Sequence, residues 1–294
     1  MATDIRLLAK AKINLDLLIT GKRADGYHLL DSLVVFADYG DEIIIRPAEE
    51  LSLKISGPFA HALEGQVFQG QGDNLILKAA GLMKEKFSYP GGAQISLIKN
   101  LPVASGIGGG SADAAATIRG MIQLMDVEAN LDDLKDLALS LGADVPVCLQ
   151  SQNMQMSGIG DRLKPVKITE PLHLLLVNPG VSVSTAEIFQ MRAAGNRGFS
   201  QIRNLPSKLD HMSQVLEIMR KSQNDLEVEA CGLAPEIKNI LTALRADENC
   251  LLARMSGSGA TCFGLFENAQ NAETACQRLK EEKPAWWLKS VSVK

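Results

Sequence analysis

The sequence has no run of about 20 uncharged apolar residues, so no segment is expected to span a bilayer. No apolar stretch of secretory-signal length precedes the first charges near the N-terminus. Five cysteines are present, and no two of them are spaced as in a CxxC motif. An odd number of cysteines without such spacing favours reduced thiols over a disulfide framework or a zinc site. The sequence therefore predicts a cytoplasmic protein.

Positive charge is not in excess either. The chain has 30 Lys and Arg residues against 34 Asp and Glu residues, which gives a formal net charge of −4. Proteins that grip the nucleic-acid backbone usually present a basic surface, so this balance argues against that class of partner. The four histidines show no metal-ligand spacing such as HExxH. We therefore expect neither nucleic acid nor a membrane as a partner.

The chain is long enough for a substantial core, because it has 294 residues of which 46% are hydrophobic. That length favours about two domains. Apolar side chains alternate over residues 12–21 with the period of a half-buried strand. Amphipathic patterns predict helices over residues 73–86, 111–126 and 131–142. Because strands and helices are mixed without strict βαβ alternation, the sequence predicts the α+β class.

The strongest local signal is the glycine-rich segment LPVASGIGGGSADAAA at residues 101–116. Glycine at four of the five positions 106–110 lets the backbone adopt unusual conformations and lets a ligand approach the amides closely. The segment follows a predicted strand and opens a predicted helix, whose N-terminal amides and dipole suit a phosphate group. It is neither a Walker A loop nor a dinucleotide fingerprint, since the fingerprint needs glycine where Ser111 stands. The alternative is a plain turn capped by Ser111, and Asp113 would bring a negative charge near the phosphates unless it points away.

Phosphoryl transfer to an alcohol needs a proton acceptor and a cation, and each has one candidate. Asp144, in LGADVPV, lies between a helix-terminating glycine and Pro146, so its backbone is held in a tight turn. Lys12 lies at the start of an otherwise apolar strand, where a charge needs a partner or a ligand. The alternatives are a capping aspartate and a solvated lysine at a strand edge.

Two further segments are candidates for ligand contact. Tyr27 and His28 follow Asp25-Gly26 in a hairpin-like turn and could stack on a base and hydrogen-bond to it. The alternative is that their rings fold onto the sheet. The second Gly/Ser loop, residues 256–259, lies between two apolar strands and is either a tight hairpin or a backbone surface beside the first loop.

Three segments, in this order, resemble the signature segments of the GHMP kinase superfamily. They are AKINLDLLITGKRADGYH near the N-terminus, LPVASGIGGGSADAAA in the centre and RMSGSGATCFGLF near the C-terminus. The first of them, together with LGADVPV, resembles one branch of that superfamily. Members of this branch phosphorylate a cytidine-diphosphate alcohol of the non-mevalonate isoprenoid pathway. The similarity covers essentially the whole chain in length and order.

The resemblance implies a role for each matching residue. Asp144 matches the catalytic base, and Lys12 matches the lysine that orients and polarises the substrate hydroxyl. Tyr27 and His28 match the residues that recognise cytosine, and Asn14 matches a polar contact near the transferred group. Phe189 is similar to the second aromatic residue that sandwiches the base. The ATP phosphate loop is matched by Pro102, Val103, Ala104, Ser105, Gly106, Ile107, Gly108, Gly109, Gly110, Ser111 and Ala112.

The resemblance also implies a fold and cofactors. The implied fold is α+β, with a ribosomal-protein-S5-like N-terminal ATP-binding domain at residues 1–158 and a ferredoxin-like C-terminal domain at residues 159–294. The reaction would use ATP and Mg²⁺, with metal ligands that the sequence leaves unassigned, and a small-molecule partner. Monomer and homodimer both remain open. The family loop often has more glycine than the Val103–Gly106 stretch has here, and Asp113 stands where Asn is also common.

Two other functions stay open on the sequence. One is another GHMP kinase, such as homoserine or mevalonate kinase, which competition by CMP or CDP would distinguish. The other is a nucleotide-binding or regulatory protein on the same scaffold without catalysis. The presence of both Asp144 and Lys12 argues against the second, because a non-catalytic member would be free to lose them.

Overall fold

The computed structural model describes residues 4–63, 74–195 and 197–294. Its strands are β1 Ile5–Asn14, β2 Leu18–Lys22, β3 His28–Ala48, β4 Ser52–Ser56, β5 Gly92–Ile98, β6 Met154–Gly158, β7 Arg162–Pro165, β8 Lys167–Ile168, β9 Leu172–Asn178, β10 Lys208–Leu209, β11 Cys250–Met255, β12 Cys262–Phe266 and β13 Trp287–Val293. Its α-helices are α1 Leu75–Lys86, α2 Gly109–Met125, α3 Lys135–Leu141, α4 Val145–Gln150, α5 Thr185–Ala194, α6 Met212–Arg220, α7 Glu227–Leu233, α8 Glu236–Arg245 and α9 Ala269–Glu282. Two 3₁₀ turns, Ala60–Leu63 and Leu131–Leu134, complete the described elements. The predicted α+β class is confirmed.

The described chain divides into two compact units that are not continuous in sequence. The first unit contains residues 4–11, 39–63, 74–103 and 108–151. The second unit contains residues 12–38, 104–107, 152–195 and 197–294. Strand β3 therefore supplies its first residues to the second unit and its last residues to the first. The expected division into continuous domains at residues 158 and 159 stays a prediction.

In the first unit, helix α2 packs on a sheet that contains β3, β4 and β5, and β1 also pairs with β3. The last residues of β3 pair antiparallel with β5, from Glu42 opposite Ile98 to Ala48 opposite Gly92, and β4 pairs parallel with β5. Helix α2 packs on this sheet at Gly120, where an added Cβ would lie 2.5 Å from the Ile45 side chain. The absence of a side chain at this position allows the helix its close approach.

Local sequence determines where helix α1 begins and which of its faces is buried. Its N-terminal residue is preceded by Asn74, whose side chain accepts a hydrogen bond from the Ile76 amide at 2.9 Å. An Asp or Asn cap was expected here, and Asn74 fills the role, whereas Asp73 lies outside the described residues. The buried residues Ile76, Ala79, Ala80 and Met83 recur at helical spacing. They form the apolar face that the sequence pattern predicts.

In the second unit, β9 lies between two antiparallel neighbours. Val177 of β9 is opposite Cys262 of β12 on one side and Leu288 of β13 on the other. Strand β11 pairs with β12, and the end of β13 meets β3 where Val293 is opposite Ala37. A nearly continuous apolar strand such as β9 is typical of the interior of a sheet. The hydrophobic core of the second unit includes Leu175, Val177, Ile237, Ile240, Leu241, Leu244, Phe266 and Leu279.

The predicted strand over residues 12–21 is interrupted in the structure. Residues 15–17 separate β1 from β2, and the carboxylate of Asp16 turns into the protein instead of continuing an alternating pattern. There it accepts a hydrogen bond from the Leu33 amide at 2.8 Å. A buried carboxylate is stable only with partners, so the break is tied to a cluster of polar side chains.

That cluster centres on Arg203, and all of its members belong to the second unit. The guanidinium binds Asp31 at 2.6 Å and Asp16 at 3.0 Å. Both carboxylates are fully buried, and Gln155 donates to Asp31 at 2.9 Å. Arg203 therefore attaches its own loop to β3 through Asp31 and to the segment between β1 and β2 through Asp16.

Removing the cation tests how much the cluster stabilises the second unit. Arg203→Met leaves two buried carboxylates without a cation, and we expect it to lower the free energy of unfolding by about 3–5 kcal/mol. Tryptophan fluorescence during urea unfolding should report the change, because both tryptophans lie in this unit, at positions 286 and 287.

The control is Arg46→Met, which breaks an exposed ion pair with Asp4. Exposed pairs contribute little, so the control should leave the urea midpoint nearly unchanged. If Arg203→Met behaved like this control, the cluster would not stabilise the unit.

Candidate active site

The middle of the glycine-rich segment, residues 104–107, belongs to the second unit, where its carbonyl groups accept hydrogen bonds. The Lys12 amide donates to the Ile107 carbonyl at 3.0 Å, and the Thr261 amide donates to the Ser105 carbonyl at 3.0 Å. The Ser256 hydroxyl donates to the Gly106 carbonyl at 3.1 Å. The two Gly/Ser loops therefore lie side by side, as one of the sequence alternatives proposed.

Gly106 is required where the two loops meet. Its φ is +75°, and an added Cβ would lie 2.6 Å from the carbonyl oxygens of Ser256 and Gly259. No side chain fits so close to backbone atoms. Ala104 also has a positive φ, +50°, at a position in the stretch where the resembling family often carries glycine.

In the first unit, helix α2 begins earlier than predicted. The sequence indicated a start at Ser111, whereas the helix starts at Gly109 and is preceded by Gly108 in the left-handed region at φ +65°. No side chain caps this end, so Ser111 is not the cap that one alternative required. The first amides of a helix have no acceptor within it, and here they stand at the end of the glycine run. This arrangement suits an anionic ligand.

A buried ion cluster lies beneath the start of α2. Lys99 Nζ binds Asp41 Oδ2 at 2.5 Å and Asp113 Oδ2 at 2.8 Å, and the Asn100 and Leu101 amides donate to Asp41. Asp113 is almost fully buried, so its carboxylate points into the first unit. Burial, followed by the negative charge of Asp41, raises the pKa of Asp113 to about 7 although Lys99 opposes the shift. The negative charge that the sequence placed beside the phosphates is thus paired with a lysine.

The candidate base, Asp144, also belongs to the first unit. It directly precedes helix α4 with φ −88° and ψ −11°, and Gly142 ends α3 two residues earlier. Pro146 lies in the first turn of α4, where its missing amide hydrogen is no loss. The predicted tight turn at Asp144 is therefore present.

Lys12 and Asn14 lie at the end of β1 in the second unit, and both are buried, with exposed fractions of 3% and 0%. The Asn14 amide donates to the Ser256 hydroxyl at 3.0 Å, and its side-chain nitrogen donates to Ser32 Oγ at 2.7 Å. Lys12 and Asp144 belong to different units, so their pairing stays a prediction.

The three candidate base-binding residues all belong to the second unit. The rings of His28 and Phe189 are stacked with their centroids 5.2 Å apart, and the Tyr27 side chain is 64% exposed. Burial and the nearby charges of Lys22 and Arg192 lower the pKa of His28 below its ordinary value. The imidazole is therefore mainly neutral at neutral pH, with one nitrogen able to donate and the other to accept.

Sequence reasoning missed several polar residues beside these candidates, namely Asp16, Asp31, Ser32, Asp41 and Lys99. The signal that singled out Lys12, a charge in an otherwise apolar strand, also applies to Asp16 and Asp31. No sequence signal joins these residues to their partners, because Arg203 is 187 residues from Asp16.

Among the ranges 4–63, 74–195 and 197–294, no helix is long and apolar enough to cross a membrane. The same described residues contain no group of three or more His, Cys, Asp or Glu side chains arranged to hold a metal ion.

Comparison with known proteins places the chain in a family. Residues 74–152 match the GHMP kinases N terminal domain, and residues 207–285 match the GHMP kinases C terminal domain. The 4-diphosphocytidyl-2-C-methyl-D-erythritol kinase of Cereibacter sphaeroides is 48% identical over 283 residues, covering 95% of this chain and 96% of the relative. That of Paramagnetospirillum magneticum is 44% identical over 286 residues, covering 97% of each. The chain belongs to this kinase family.

A solved structure agrees with the assignment. A crystal structure of 4-(cytidine 5'-diphospho)-2C-methyl-D-erythritol kinase has 31% sequence identity and a TM-score of 0.78, covering 98% of this chain and 99% of that one. The resemblance expected from the three motifs is confirmed. This GHMP kinase is a small-molecule kinase, and its family implies ATP as the phosphoryl donor.

The buried cluster at Lys99 predicts a pH-dependent stability. Asp113→Asn retains an oxygen for Lys99 but removes the excess negative charge. In the wild type, the raised pKa gives a stabilising contribution that is full below the ordinary value of 3.8 and is lost as the pH rises to about 7. The free energy of unfolding of Asp113→Asn minus that of the wild type should therefore increase by roughly 1–4 kcal/mol between pH 4 and pH 8.

Urea unfolding followed by circular dichroism, without nucleotide, measures this difference at each pH. Glu128→Gln, at an exposed carboxylate in the same unit, is the matched control. A difference that stays constant with pH would contradict a raised pKa at Asp113.

Proposed function

We propose that this kinase transfers the γ-phosphoryl group of ATP to the 2-hydroxyl of 4-diphosphocytidyl-2-C-methyl-D-erythritol. The products are the 2-phosphate and ADP, in the non-mevalonate pathway to isoprenoid precursors. The observation that carries the proposal is the stacked pair His28 and Phe189 beside exposed Tyr27, in a chain that is similar over nearly its full length to kinases named for this substrate.

Cytosine recognition is proposed for these three residues. A pyrimidine base has two flat faces and a polar edge. A site for it therefore needs an aromatic surface against a face and hydrogen-bonding groups at the edge. Phe189 and Tyr27 supply aromatic faces, and Tyr27 is free to cover a ligand because it is exposed. His28, neutral and held against Phe189, supplies the polar contact.

Phosphate binding is proposed for residues 102–112. The backbone around Gly106 is fixed by the second Gly/Ser loop, and α2 directs its first amides toward its N-terminal end. Amides that are already oriented bind phosphate oxygens without further ordering, which suits stabilisation of a transferring phosphoryl group.

The chemical step is proposed for Asp144 and Lys12. Asp144 accepts the proton of the 2-hydroxyl while the oxygen of that hydroxyl attacks the γ-phosphorus of ATP. The bond between the γ-phosphorus and the bridging β-phosphate oxygen breaks, which leaves ADP. Lys12 orients the hydroxyl and balances the developing negative charge. Asn14, two residues along the same strand, contacts the alcohol.

Magnesium is proposed to accompany ATP. The donors of the glycine-rich segment are amides, which favour anions, and the Asp113 carboxylate is taken by Lys99. This donor set fits a Mg²⁺ ion held mainly by phosphate oxygens, with the Ser111 hydroxyl as the protein oxygen in the loop. The ion would neutralise phosphate charge during transfer.

We further propose that the enzyme acts in the cytoplasm on this small molecule and not on nucleic acid, in keeping with its net charge of −4. The two-domain division at residues 158 and 159 is part of the same proposal.

An ADP-release assay tests the function directly. The purified protein with Mg-ATP should release ADP with the cytidyl alcohol and not with homoserine or mevalonate. CMP should compete with the cytidyl alcohol, because only a site that reads cytosine binds it. Release with another alcohol would retire the cytosine assignment, and no release with any of the three would contradict a catalytic function.

Asp144→Asn tests the base. The amide preserves the shape of the turn but cannot accept the proton, so kcat should fall by about 10²–10⁴-fold with the ATP affinity little changed. Steady-state kinetics and nucleotide binding measure the two effects.

The matched control is Asp136→Asn, which removes an exposed carboxylate from α3 in the same unit. It should retain wild-type turnover. Near-normal turnover of Asp144→Asn would remove that residue from the mechanism.

A further inference from the structure

The side-chain oxygen of Asn14 is a buried acceptor without a partner. Asn14 has an exposed fraction of 0%, and its Oδ1 has no hydrogen-bond partner, whereas its nitrogen donates to Ser32. A buried polar atom left unpaired costs roughly 1–3 kcal/mol, so such an atom in a native protein calls for a donor from a ligand or an ordered water.

The hydroxyl of Ser32 decides which end of the Asn14 amide faces it. Ser32 Oγ lies 2.6 Å from the Asp16 carbonyl oxygen. A carbonyl only accepts, so the single proton of Ser32 is committed to Asp16. Ser32 can then only accept from its other neighbour, and the NH₂ group of Asn14 must face it. The oxygen of Asn14 is thereby turned to the opposite side.

The Asp16 carbonyl that fixes this direction is itself held firmly. The Asp16 carboxylate binds Arg203, accepts from the Leu33 amide at 2.8 Å and accepts from the Ser222 hydroxyl at 2.7 Å. The hydrogen bonds from Asn14 to Ser32 and from Ser32 to the Asp16 carbonyl therefore run in one direction, because each donor and each acceptor in them is assigned.

The backbone of Asn14 is fixed by a second serine. The Asn14 amide donates to Ser256 Oγ, whose own proton goes to the Gly106 carbonyl. Beside Asn14 Oδ1 stands Gly257, at which an added Cβ would lie 3.4 Å from that oxygen. The same Cβ would lie 2.6 Å from the Gly106 carbonyl oxygen, so the acceptor lies close to both Gly/Ser loops at a point where the second loop needs glycine.

From these contacts we propose that Ser32 is a positioning residue for Asn14 and that Asn14 Oδ1 accepts a hydrogen bond from a hydroxyl of the alcohol portion of the substrate. This assignment rests on the proposed function. Under this assignment Asn14 Oδ1 binds a hydroxyl group that donates a hydrogen bond. It cannot bind phosphate oxygens, because they are acceptors themselves. The hydroxyl concerned lies on C1 or C3 of the alcohol, because the 2-hydroxyl gives its proton to Asp144.

Fluorinated substrates test the direction of the hydrogen bond. Replacing the C1 or the C3 hydroxyl by fluorine removes the donor and changes size little. With the wild-type enzyme, one of the two analogues should lose about 10-fold or more in kcat/KM relative to the parent substrate, since Oδ1 is left unpaired. Asn14→Ala should lose most of this discrimination. Because the effect of fluorine on the reacting hydroxyl is common to both enzymes, the ratio of the two losses isolates the contact.

Variants of Ser32 test the positioning role. In Ser32→Ala the Asn14 amide is no longer oriented, so kcat/KM for the parent should fall about 10-fold while that for the sensitive analogue changes little. The KM for ATP should stay at its wild-type value, which a general loss of structure would not allow. Ser32→Thr keeps the hydroxyl and should keep the wild-type discrimination. Ser32→Cys, with a weaker donor and acceptor, provides the same test if the alanine variant is unstable.

The outcomes separate the two proposals. Absence of turnover by the wild type on the parent substrate would overturn the proposed function and the hydroxyl assignment with it. Turnover with neither analogue discriminated would overturn the inference alone and assign Oδ1 to a held water. Discrimination that survives in both Ser32→Ala and Ser32→Cys would retain Asn14 as a hydroxyl reader and remove Ser32 as its positioning residue.

Discussion

The hydroxyl of Ser256 accepts a hydrogen bond from the Asn14 amide and donates one to the Gly106 carbonyl. One side chain thus joins the end of β1, the glycine-rich segment and the second Gly/Ser loop within the second unit. The three segments are far apart in sequence, and Asn14 and Ser256 are separated by 242 positions. The end of β1 and residues 104–107 are joined both through this side chain and by the hydrogen bond from the Lys12 amide to the Ile107 carbonyl.

The junction also explains why glycine is needed around it. Backbone atoms of Gly106, Ser256 and Gly259 approach so closely that an added Cβ on Gly106 would meet two carbonyl oxygens at 2.6 Å. The glycines of the glycine-rich segment therefore have two different structural roles. Gly106 permits the packing of loop on loop, and Gly108 sets the backbone direction that starts α2. Only the second directly prepares amides for an anion.

Local signals predicted much of this molecule. The helix patterns, an Asp or Asn cap before α1, the turn at Asp144 and the glycine run all depend on neighbours within a few residues. The structure contains each of them, although residues 131–134 of the third predicted helix form a 3₁₀ turn. The family also followed from motifs that are continuous in sequence. The break in the first predicted strand was missed, because its cause is a carboxylate whose cation is remote.

What the sequence could not provide was pairing over long distances. Lys99 reads as a lysine before a loop, and only the fold shows that it neutralises Asp41 and Asp113. Ser32 reads as a small polar residue in an apolar strand, and its role depends on the Asn14 side-chain amide at the end of β1 and on the Asp16 carbonyl just beyond it. Hydroxyl groups carry no sequence pattern for the direction of their proton, so the orientation of Asn14 emerges only from the complete set of contacts.

The discontinuous make-up of the second unit has a consequence for biosynthesis. Its sheet includes residues 28–38 of β3 near one end of the chain and β13 near the other, with Ala37 opposite Val293. Domains usually fold as they leave the ribosome, in order of synthesis. Here β3, the strand that carries His28, is synthesised before β13, so the pairing of Ala37 with Val293 can form only after the segments between them have been translated. The strand that carries this candidate substrate-binding residue is therefore made before one of the sheet partners that support it.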